Sequence, residues 1–241
     1  MITTAFQVRW REYLCEAILL GLFMVSASFF TTLFEYPKSP VREALPNATM
    51  RLWCIALAMG ATASALIYSP FGKISGAHFN PSVTLTMCRL GKIQAVDAWF
   101  YGLFQTMGGT AGVLFSALVL QDAFTASPVN YIVTVPNNVG ETTAFAVEFA
   151  IAFGMMTMVQ VTSAHKTLSQ FTGVFAGILV MCYVAVSGPV TGFGMNPART
   201  LASALPAMRF DALWVYMLAP PLGMLAAAEL YQLVKHAKKT S

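Results

Sequence analysis

Charged side chains are scarce in this chain, and that scarcity excludes an ordinary water-soluble fold. Of its 241 residues, 10% are charged and 57% are hydrophobic. Soluble domains usually carry about 25% charged residues, so this chain has too few charges to cover a surface that faces water. A lipid bilayer suits such a composition, and we expect one membrane domain over residues 1–241.

Catalytic, metal-binding and nucleic-acid-binding groups are equally sparse. The net charge is +4, without a basic run interleaved with aromatic residues, so the composition does not indicate a nucleic-acid partner. The three histidines are scattered, and the four cysteines lie in apolar segments without the spacing of metal ligands. The sequence therefore predicts a lipid-embedded protein that is not an enzyme and holds neither a metal nor a cofactor.

Long apolar segments are what the chain has instead. Six of them are each close to the ~20 residues with which a helix crosses a bilayer. Their approximate limits are 13–34, 51–69, 95–120, 142–162, 168–187 and 212–234. The first segment is longer than the apolar core of a signal peptide, so we interpret it as a retained transmembrane helix.

Two stretches of the chain are versions of each other. Residues 75–84 read SGAHFNPSVT and residues 191–200 read TGFGMNPART, about half the chain apart. They open the short apolar segments 81–90 and 197–205, each long enough for only half of the hydrocarbon core. Backbone that stops at mid-membrane is tolerated where it lines a cavity or is buried in protein. We therefore predict two re-entrant half-helices.

The same order of elements recurs in both halves of the chain. Residues 1–120 and 141–241 form the first and second repeats, each with three spanning helices and one half-helix. Because three is an odd number, the second copy must be inverted in the membrane. Such repeats place a binding or conduction site at the midplane. The sequence thus predicts an all-α membrane protein with six transmembrane helices, two re-entrant half-helices and a central pore.

The paired Asn-Pro sequence has the chemistry of a helix start that faces a pore. Asn80 and Asn196 are strong N-cap residues, and Pro81 and Pro197 follow where a missing N–H costs nothing. One Asn-Pro alone is typical of a turn, but two matched copies favour a pore in which each Asn NH2 points at the solute. The extended residues before each Asn would supply carbonyl acceptors: Gly76, Ala77 and His78 in one copy, and Gly192, Phe193 and Gly194 in the other.

Positive charge at the pore centre predicts that ions and protons are excluded. Each half-helix N-terminus carries about half a positive charge, and Arg199 adds a full one. In a low-dielectric membrane, these charges repel a cation strongly.

Two carboxylates lie inside apolar segments, where a charge is expensive and normally faces the protein interior. Glu16 and Glu148 each belong to the first apolar helix of their half. They could relay protons, or they could accept N–H bonds from a re-entrant loop. We favour loop support, because both halves need it and the helices contain no His or Lys partner. Gln105 is interpreted as another loop anchor or as an interhelical bond.

The distribution of basic residues predicts the orientation. On the side of the two termini lie Arg9, Arg11, Lys73, Arg89, Lys92, Lys166, Lys235, Lys238 and Lys239, and on the other side lie Lys38, Arg42, Arg51, Arg199 and Arg209. Since Lys and Arg accumulate on the cytoplasmic side, we expect both termini there. The absence of a eukaryotic sorting motif favours a bacterial inner membrane. Segments 35–50 and 121–140 are expected to serve only as extracellular connections or oligomer contacts.

The paired motifs resemble those of a known family. SGAHFNPSVT and GFGMNPART look like the paired signature loops of the aquaporin, or major intrinsic protein, family, and Glu16, Gln105 and Glu148 fit the same pattern. Ala198 matches the second signature, whereas Ser82 stands where Ala is usual. The resemblance covers nearly the whole chain. It implies a homotetramer with one pore per subunit and passive conduction of water or small neutral solutes.

The resemblance also implies a four-residue selectivity filter outside the pore centre. Arg199 matches the usual Arg, and Phe193 matches an aromatic often found in glycerol facilitators. Val184 stands where water-selective members typically have His. The fourth position falls on Met59, or on Gly60 if the intervening loop has no extra residue. Three apolar walls and one donor suit an amphipathic solute.

Two departures from the glycerol-type pattern keep alternatives open. Thr200 stands where many glycerol facilitators have Asp, and their usual Trp is absent. We therefore predict a channel for water and also for glycerol or urea. The alternative is an ion-coupled secondary transporter that uses Glu16 and Glu148, because inverted repeats with broken helices build those as well. His78 is interpreted as a loop-stabilising residue, with a gate at the pore mouth as the alternative.

Overall fold

Helices dominate the chain throughout the part that the structure describes. The structure is a computed structural model that describes the backbone of residues 2–240 and the side chains of residues 6–237. The helices are α1 (Ile2–Glu35), α2 (Pro40–Ala44), α3 (Ala48–Tyr68), α4 (Pro70–Ser75), α5 (Pro81–Arg89), α6 (Ala95–Leu120), α7 (Asp122–Thr125), α8 (Gly140–Ala164), α9 (Thr172–Thr191), α10 (Pro197–Ala207) and α11 (Leu213–Thr240). Short 3-10 turns lie at Asn130–Ile132 and Ser169–Phe171.

Six of these helices are long and apolar enough to cross a membrane: α1, α3, α6, α8, α9 and α11. The half-helices α5 and α10 have 9 and 11 residues, which at 1.5 Å per residue reach about halfway through the hydrocarbon core. Large apolar side chains such as Leu118 and Val186 are 75% and 70% exposed on the outside of the bundle, where lipid is their natural surroundings. The predicted all-α architecture with two re-entrant half-helices is confirmed.

Equivalent helices pair in the same way in the two halves. Helix α1 packs along α6, and α8 packs along α11, while α3 and α9 join the halves. A Cβ at Gly108 would lie 2.0 Å from the Ala17 carbonyl oxygen, and one at Gly223 would lie 2.4 Å from the Phe149 oxygen. Since a Cβ would not fit there, glycine allows the backbones of each pair to touch.

Several spanning helices differ in extent from the sequence-based limits, among them α1, α9 and α11. Helix α1 includes residues well before position 13, and there Arg9 Nη1 donates to the Asp97 carboxylate of α6 at 3.0 Å. Helix α9 begins and ends four residues later than expected. Its final carbonyls have partners, because Asn137 donates its backbone N–H to Val190 O at 3.1 Å and its side-chain NH2 to Pro189 O. These partners come from other segments, so local sequence did not reveal them.

The connection between α1 and α3 is tied down by an arginine at the start of the second predicted apolar segment. Arg51 belongs to the first turn of α3 and is 6% exposed. Its guanidinium donates to the Glu35 carboxylate at 3.1 and 3.2 Å and to the carbonyls of Leu45 and Pro46. Arg51 therefore ties this connection to the end of α1.

Candidate conduction pathway

Each half-helix begins at an asparagine that caps it. Asn80 and Asn196 have extended backbones, and their side-chain oxygens accept from the N–H groups of Ser82 at 2.8 Å and Arg199 at 3.2 Å. A proline follows each asparagine at the first helical position, where it lacks only an N–H that the helix would leave unpaired. The caps orient both amide groups away from their own helices.

The two asparagines reach across to each other's loops. Asn80 Nδ2 donates to Met195 O at 2.9 Å, and Asn196 Nδ2 donates to Phe79 O at 2.7 Å. An amide NH2 has two hydrogens, so each asparagine keeps one N–H beyond this bond. Both hydrogens of each NH2 group were predicted to face the solute. In the structure, one hydrogen of each group bonds to the opposite loop.

A buried carboxylate holds each loop. Glu16 accepts from the backbone N–H groups of His78 at 3.0 Å and Phe79 at 2.6 Å. Glu148 accepts from the two equivalent N–H groups of the second loop at 2.8 and 2.5 Å and from Thr191 Oγ1 at 2.6 Å. Both carboxylates are 0% exposed. Because the loops have no helical ladder, these bonds satisfy donors that would otherwise be unpaired in the membrane.

Two tyrosines complete this support, and sequence reasoning missed them. Tyr101 OH donates to Ser75 O at 2.8 Å, and Tyr216 OH donates to Thr191 O at 2.7 Å. Both side chains are buried. One sequence signal could have indicated them: each tyrosine lies in the third spanning helix of its repeat.

The first loop has further polar neighbours. Gln105 Nε2 donates to Glu16 Oε2 at 2.6 Å and to Thr84 Oγ1 at 3.1 Å. The Nδ1 atom of His78 is 3.1 Å from the same Thr84 oxygen. Gln105 therefore lies beside the carboxylate that anchors the loop, and His78 makes a hydrogen bond within its own re-entrant unit.

Two cavities adjoin at residues that line both of them, and we call them the inner and the outer cavity. The inner cavity, of about 410 Å³, is lined by Gly76, Ala77, His78, Asn80, Gly194 and Asn196, together with apolar residues of the spanning helices. The outer cavity, of about 320 Å³, is lined by Met59, Val184, Gly192 and residues of the connection between α6 and α8. Within the described part of the chain, Phe23, Phe193 and Arg199 are the residues that line both.

The remaining residues of the two motifs lie behind this path. Ser82 and Ala198 are fully buried and are not among the residues that line either cavity. Pro81 and Pro197 begin their half-helices. These four residues therefore shape the half-helices, while the asparagines and the loops face the space between them.

The predicted filter residues meet at the outer cavity. Met59 and Val184 line it, and Phe193 and Arg199 stand at its inner end. Gly60 lies elsewhere, because a Cβ there would be 2.5 Å from the Gly177 carbonyl of α9. Met59 therefore lines the outer cavity, whereas Gly60 packs against α9.

The connection between α6 and α8 does more than connect, contrary to expectation, because it lines the outer cavity. Arg199 Nη1 donates to Ile132 O at 2.9 Å, and Ile132 also lines the outer cavity. Thr134 Oγ1 donates to Thr200 Oγ1 at 3.0 Å. Contacts between residues so distant in the chain leave no local sequence signal.

Comparison with known proteins identifies the fold and the family. The family model described as Major intrinsic protein matches residues 3–231. The chain belongs to the major intrinsic protein family. Aquaporin NIP1-2 of Arabidopsis thaliana is 31% identical over 77% of this chain and 64% of its own length. Nodulin-26 of Glycine max is 31% identical over 77% of this chain and 66% of its own length. The chain thus spans slightly less than two thirds of these relatives.

A solved structure shows the same fold. The aquaglyceroporin from Plasmodium falciparum superposes with a TM-score of 0.78, covers 92% of this chain and 95% of its own, and shares 19% identity. As a member of the major intrinsic protein family, the chain is a multi-pass integral membrane protein. Membership does not favour an ion-coupled transporter. Glu16 and Glu148 are fully buried, are occupied by loop N–H groups, and are not among the residues lining the two cavities.

Proposed function

We propose that the chain is a passive channel that conducts water and small neutral solutes such as glycerol or urea and excludes ions and protons. The observation that carries this proposal is the pair of capping asparagines, hydrogen-bonded across the centre between the two re-entrant loops. Membership of the major intrinsic protein family supports it, as do relatives named aquaporins.

The walls of the outer cavity support a solute with one apolar and one polar face. Met59, Val184 and Phe193 offer carbon surfaces, and Arg199 offers guanidinium donors. A polyol or urea would slide its apolar face along the first three residues while its oxygen atoms meet Arg199. Water, which is smaller than these solutes, would pass through the same site.

The centre of the pathway is proposed to orient solutes and reject cations. Each asparagine retains one N–H for a passing oxygen atom, and the N-termini of α5 and α10 place partial positive charge at the same depth. Carbonyls of the re-entrant loops supply acceptors along the path. Phe79 and Met195 contribute less to that row, because their carbonyls accept from the asparagines.

Assembly and orientation are further parts of the proposal. We propose a homotetramer in lipid, with one pathway per subunit, built from the inverted repeats 1–120 and 141–241. We propose that both termini lie on the cytoplasmic side, because more of the basic residues are predicted on the side of the termini. The relatives reported above come from plants, so they give no support to the bacterial inner membrane that the sequence analysis favoured.

Stopped-flow light scattering of vesicles that contain the purified chain tests the proposal. We expect water, glycerol and urea gradients to relax faster than in protein-free vesicles, with solute flux linear in concentration and insensitive to a proton gradient. Flux that saturates and follows the proton gradient would replace the channel with the transporter alternative.

A further inference from the structure

The boundary between the two cavities differs from the predicted four-residue filter. Met59 and Val184 line the outer cavity alone, whereas Phe23, Phe193 and Arg199 line both cavities. Phe23 comes from α1, which the sequence analysis linked to loop support and not to selection. A residue that lines both cavities lies where the two adjoin.

The ring of Phe23 is held by its surroundings. It is 9% exposed, and its centroid lies 6.0 Å from that of Phe79. The backbone of Phe79 is bonded on both sides: its N–H donates to Glu16 at 2.6 Å, and its carbonyl accepts from Asn196 at 2.7 Å. Phe23 thus packs beside a re-entrant loop whose backbone is anchored.

The spacing along α1 explains how one helix serves both tasks. Glu16 and Phe23 are two helical turns apart and so lie on one face. In the second repeat, Met155 lies the same distance beyond Glu148, but it lines the inner cavity alone. At this position the first repeat has an aromatic ring that lines both cavities, whereas the second has a methionine that lines one.

We propose that Phe23 is a specificity-determining residue of the channel, an aromatic wall at the passage between the cavities that limits the size of solutes. This inference rests on the proposed channel function. Phe23 and Phe193 offer two apolar faces, and Arg199 supplies the polar group between the cavities. A small polyol fits this arrangement by turning its carbon backbone to the rings and its hydroxyls to Arg199.

The test compares the ratio of glycerol to water permeability in vesicles containing Phe23→Leu, Phe23→Trp or the unaltered chain. Leu removes ring volume, so the ratio should rise several-fold; Trp adds volume, so it should fall several-fold. A residue that only stabilises the fold would reduce the amount of folded protein in both variants and leave the ratio unchanged. Because the ratio is taken within one preparation, it does not depend on how much protein is inserted.

Phe29→Leu is the matched control, because Phe29 lies on the same helix and is 48% exposed. It should keep the ratio of the unaltered chain. Ratios in both Phe23 variants that match this control would overturn the inference while leaving the channel intact. Vesicles whose unaltered chain conducts neither water nor glycerol would overturn the proposed function, and the inference with it. If the Trp variant does not fold, the Phe23→Leu variant decides alone: a several-fold rise in its ratio above that of the Phe29→Leu control supports the inference, and an unchanged ratio overturns it.

Discussion

The two re-entrant loops have the same backbone conformation but differ in their side chains. Positive φ angles recur at equivalent positions, namely Gly76, Ala77 and Phe79 in the first loop and Gly192, Phe193 and Met195 in the second. Each loop gives two N–H groups to a buried carboxylate and accepts one tyrosine hydroxyl. Both repeats thus contain the hydrogen bonds that anchor a re-entrant loop.

Apart from the two asparagines, side chains at equivalent positions of the loops and half-helices differ where they line the cavities. Where the second loop and its half-helix have Phe193 and Arg199, the first has Ala77 and Val83. Both Phe193 and Arg199 stand at the boundary between the cavities, while Ala77 and Val83 line the inner cavity alone. Within the two loops and half-helices, the backbone support is therefore duplicated, whereas the side chains at the boundary between the cavities, Phe193 and Arg199, come from the second copy.

Removing the buried carboxylates should break the symmetry of support most severely. Glu16→Ala and Glu148→Ala each leave two buried N–H groups without an acceptor, and each such group costs about 1–3 kcal/mol. We expect both variants to lose several kcal/mol, measured as earlier thermal unfolding in detergent. Glu43→Ala, an exposed carboxylate on α2, should unfold with the unaltered protein. A variant of either buried glutamate that unfolds like this control would show that the loops do not depend equally on their carboxylates.

The next largest effect concerns a position where the loops differ, His78 and Gly194. A Cβ at Gly194 would lie 2.4 Å from Tyr216 Cδ1 and 3.2 Å from Glu148 Oε2, so Gly194→Ala should destabilise by about 1–3 kcal/mol through overpacking. His78→Ala removes the bond to Thr84 and should cost about 1 kcal/mol. Thermal unfolding of the two variants side by side measures the difference, and equal losses would contradict it.

The difference between the two loops predicts a change in the ratio of glycerol to water permeability. Phe193→Ala should raise the ratio of glycerol to water flux several-fold because it opens one wall, and Val184→His should lower it because it adds bulk and a donor to the outer cavity. Val186→Ala, on the lipid-facing side of α9 and 70% exposed, is the control. Vesicle swelling measures each ratio, and unchanged ratios in both filter variants would remove these residues from the filter.

The smallest effect should come from the two tyrosines. Tyr101→Phe and Tyr216→Phe each remove one hydrogen bond to a loop carbonyl and should cost about 1 kcal/mol apiece. Similar losses in thermal unfolding are expected, with the flux ratio unchanged. A change of flux ratio in one variant alone would reveal that the two supports are not equivalent.

Much of the fold could be predicted because its signals are local. Apolar length indicated the spanning helices, and Asn80 and Asn196 marked the starts of α5 and α10 through capping chemistry. The all-α architecture followed from these features and is confirmed. The roles of the predicted site residues stay predictions, although the structure brings Met59, Val184, Phe193 and Arg199 to one cavity.

Contacts between distant segments explain what the sequence analysis missed. Ile132 reaches Arg199 from a connection that had no predicted role, and Tyr101 reaches Ser75 from another helix. Arg51 was predicted only as a charge on the side opposite the termini, and its partner Glu35 belongs to a different helix. In each case the decisive neighbour lies far along the chain, where no spacing rule applies.

The sequence by itself determined that this chain lives in lipid and that two capped half-helices meet inside it, because apolar length and N-cap chemistry act over a few residues. Tertiary structure alone decided which of Met59 and Gly60 faces the path, how the asparagine amides divide their hydrogens, and that Phe23 stands beside Phe193 and Arg199. Those outcomes depend on how the helices and loops pack in three dimensions, which fixes the orientation of each side chain only after the whole bundle has assembled.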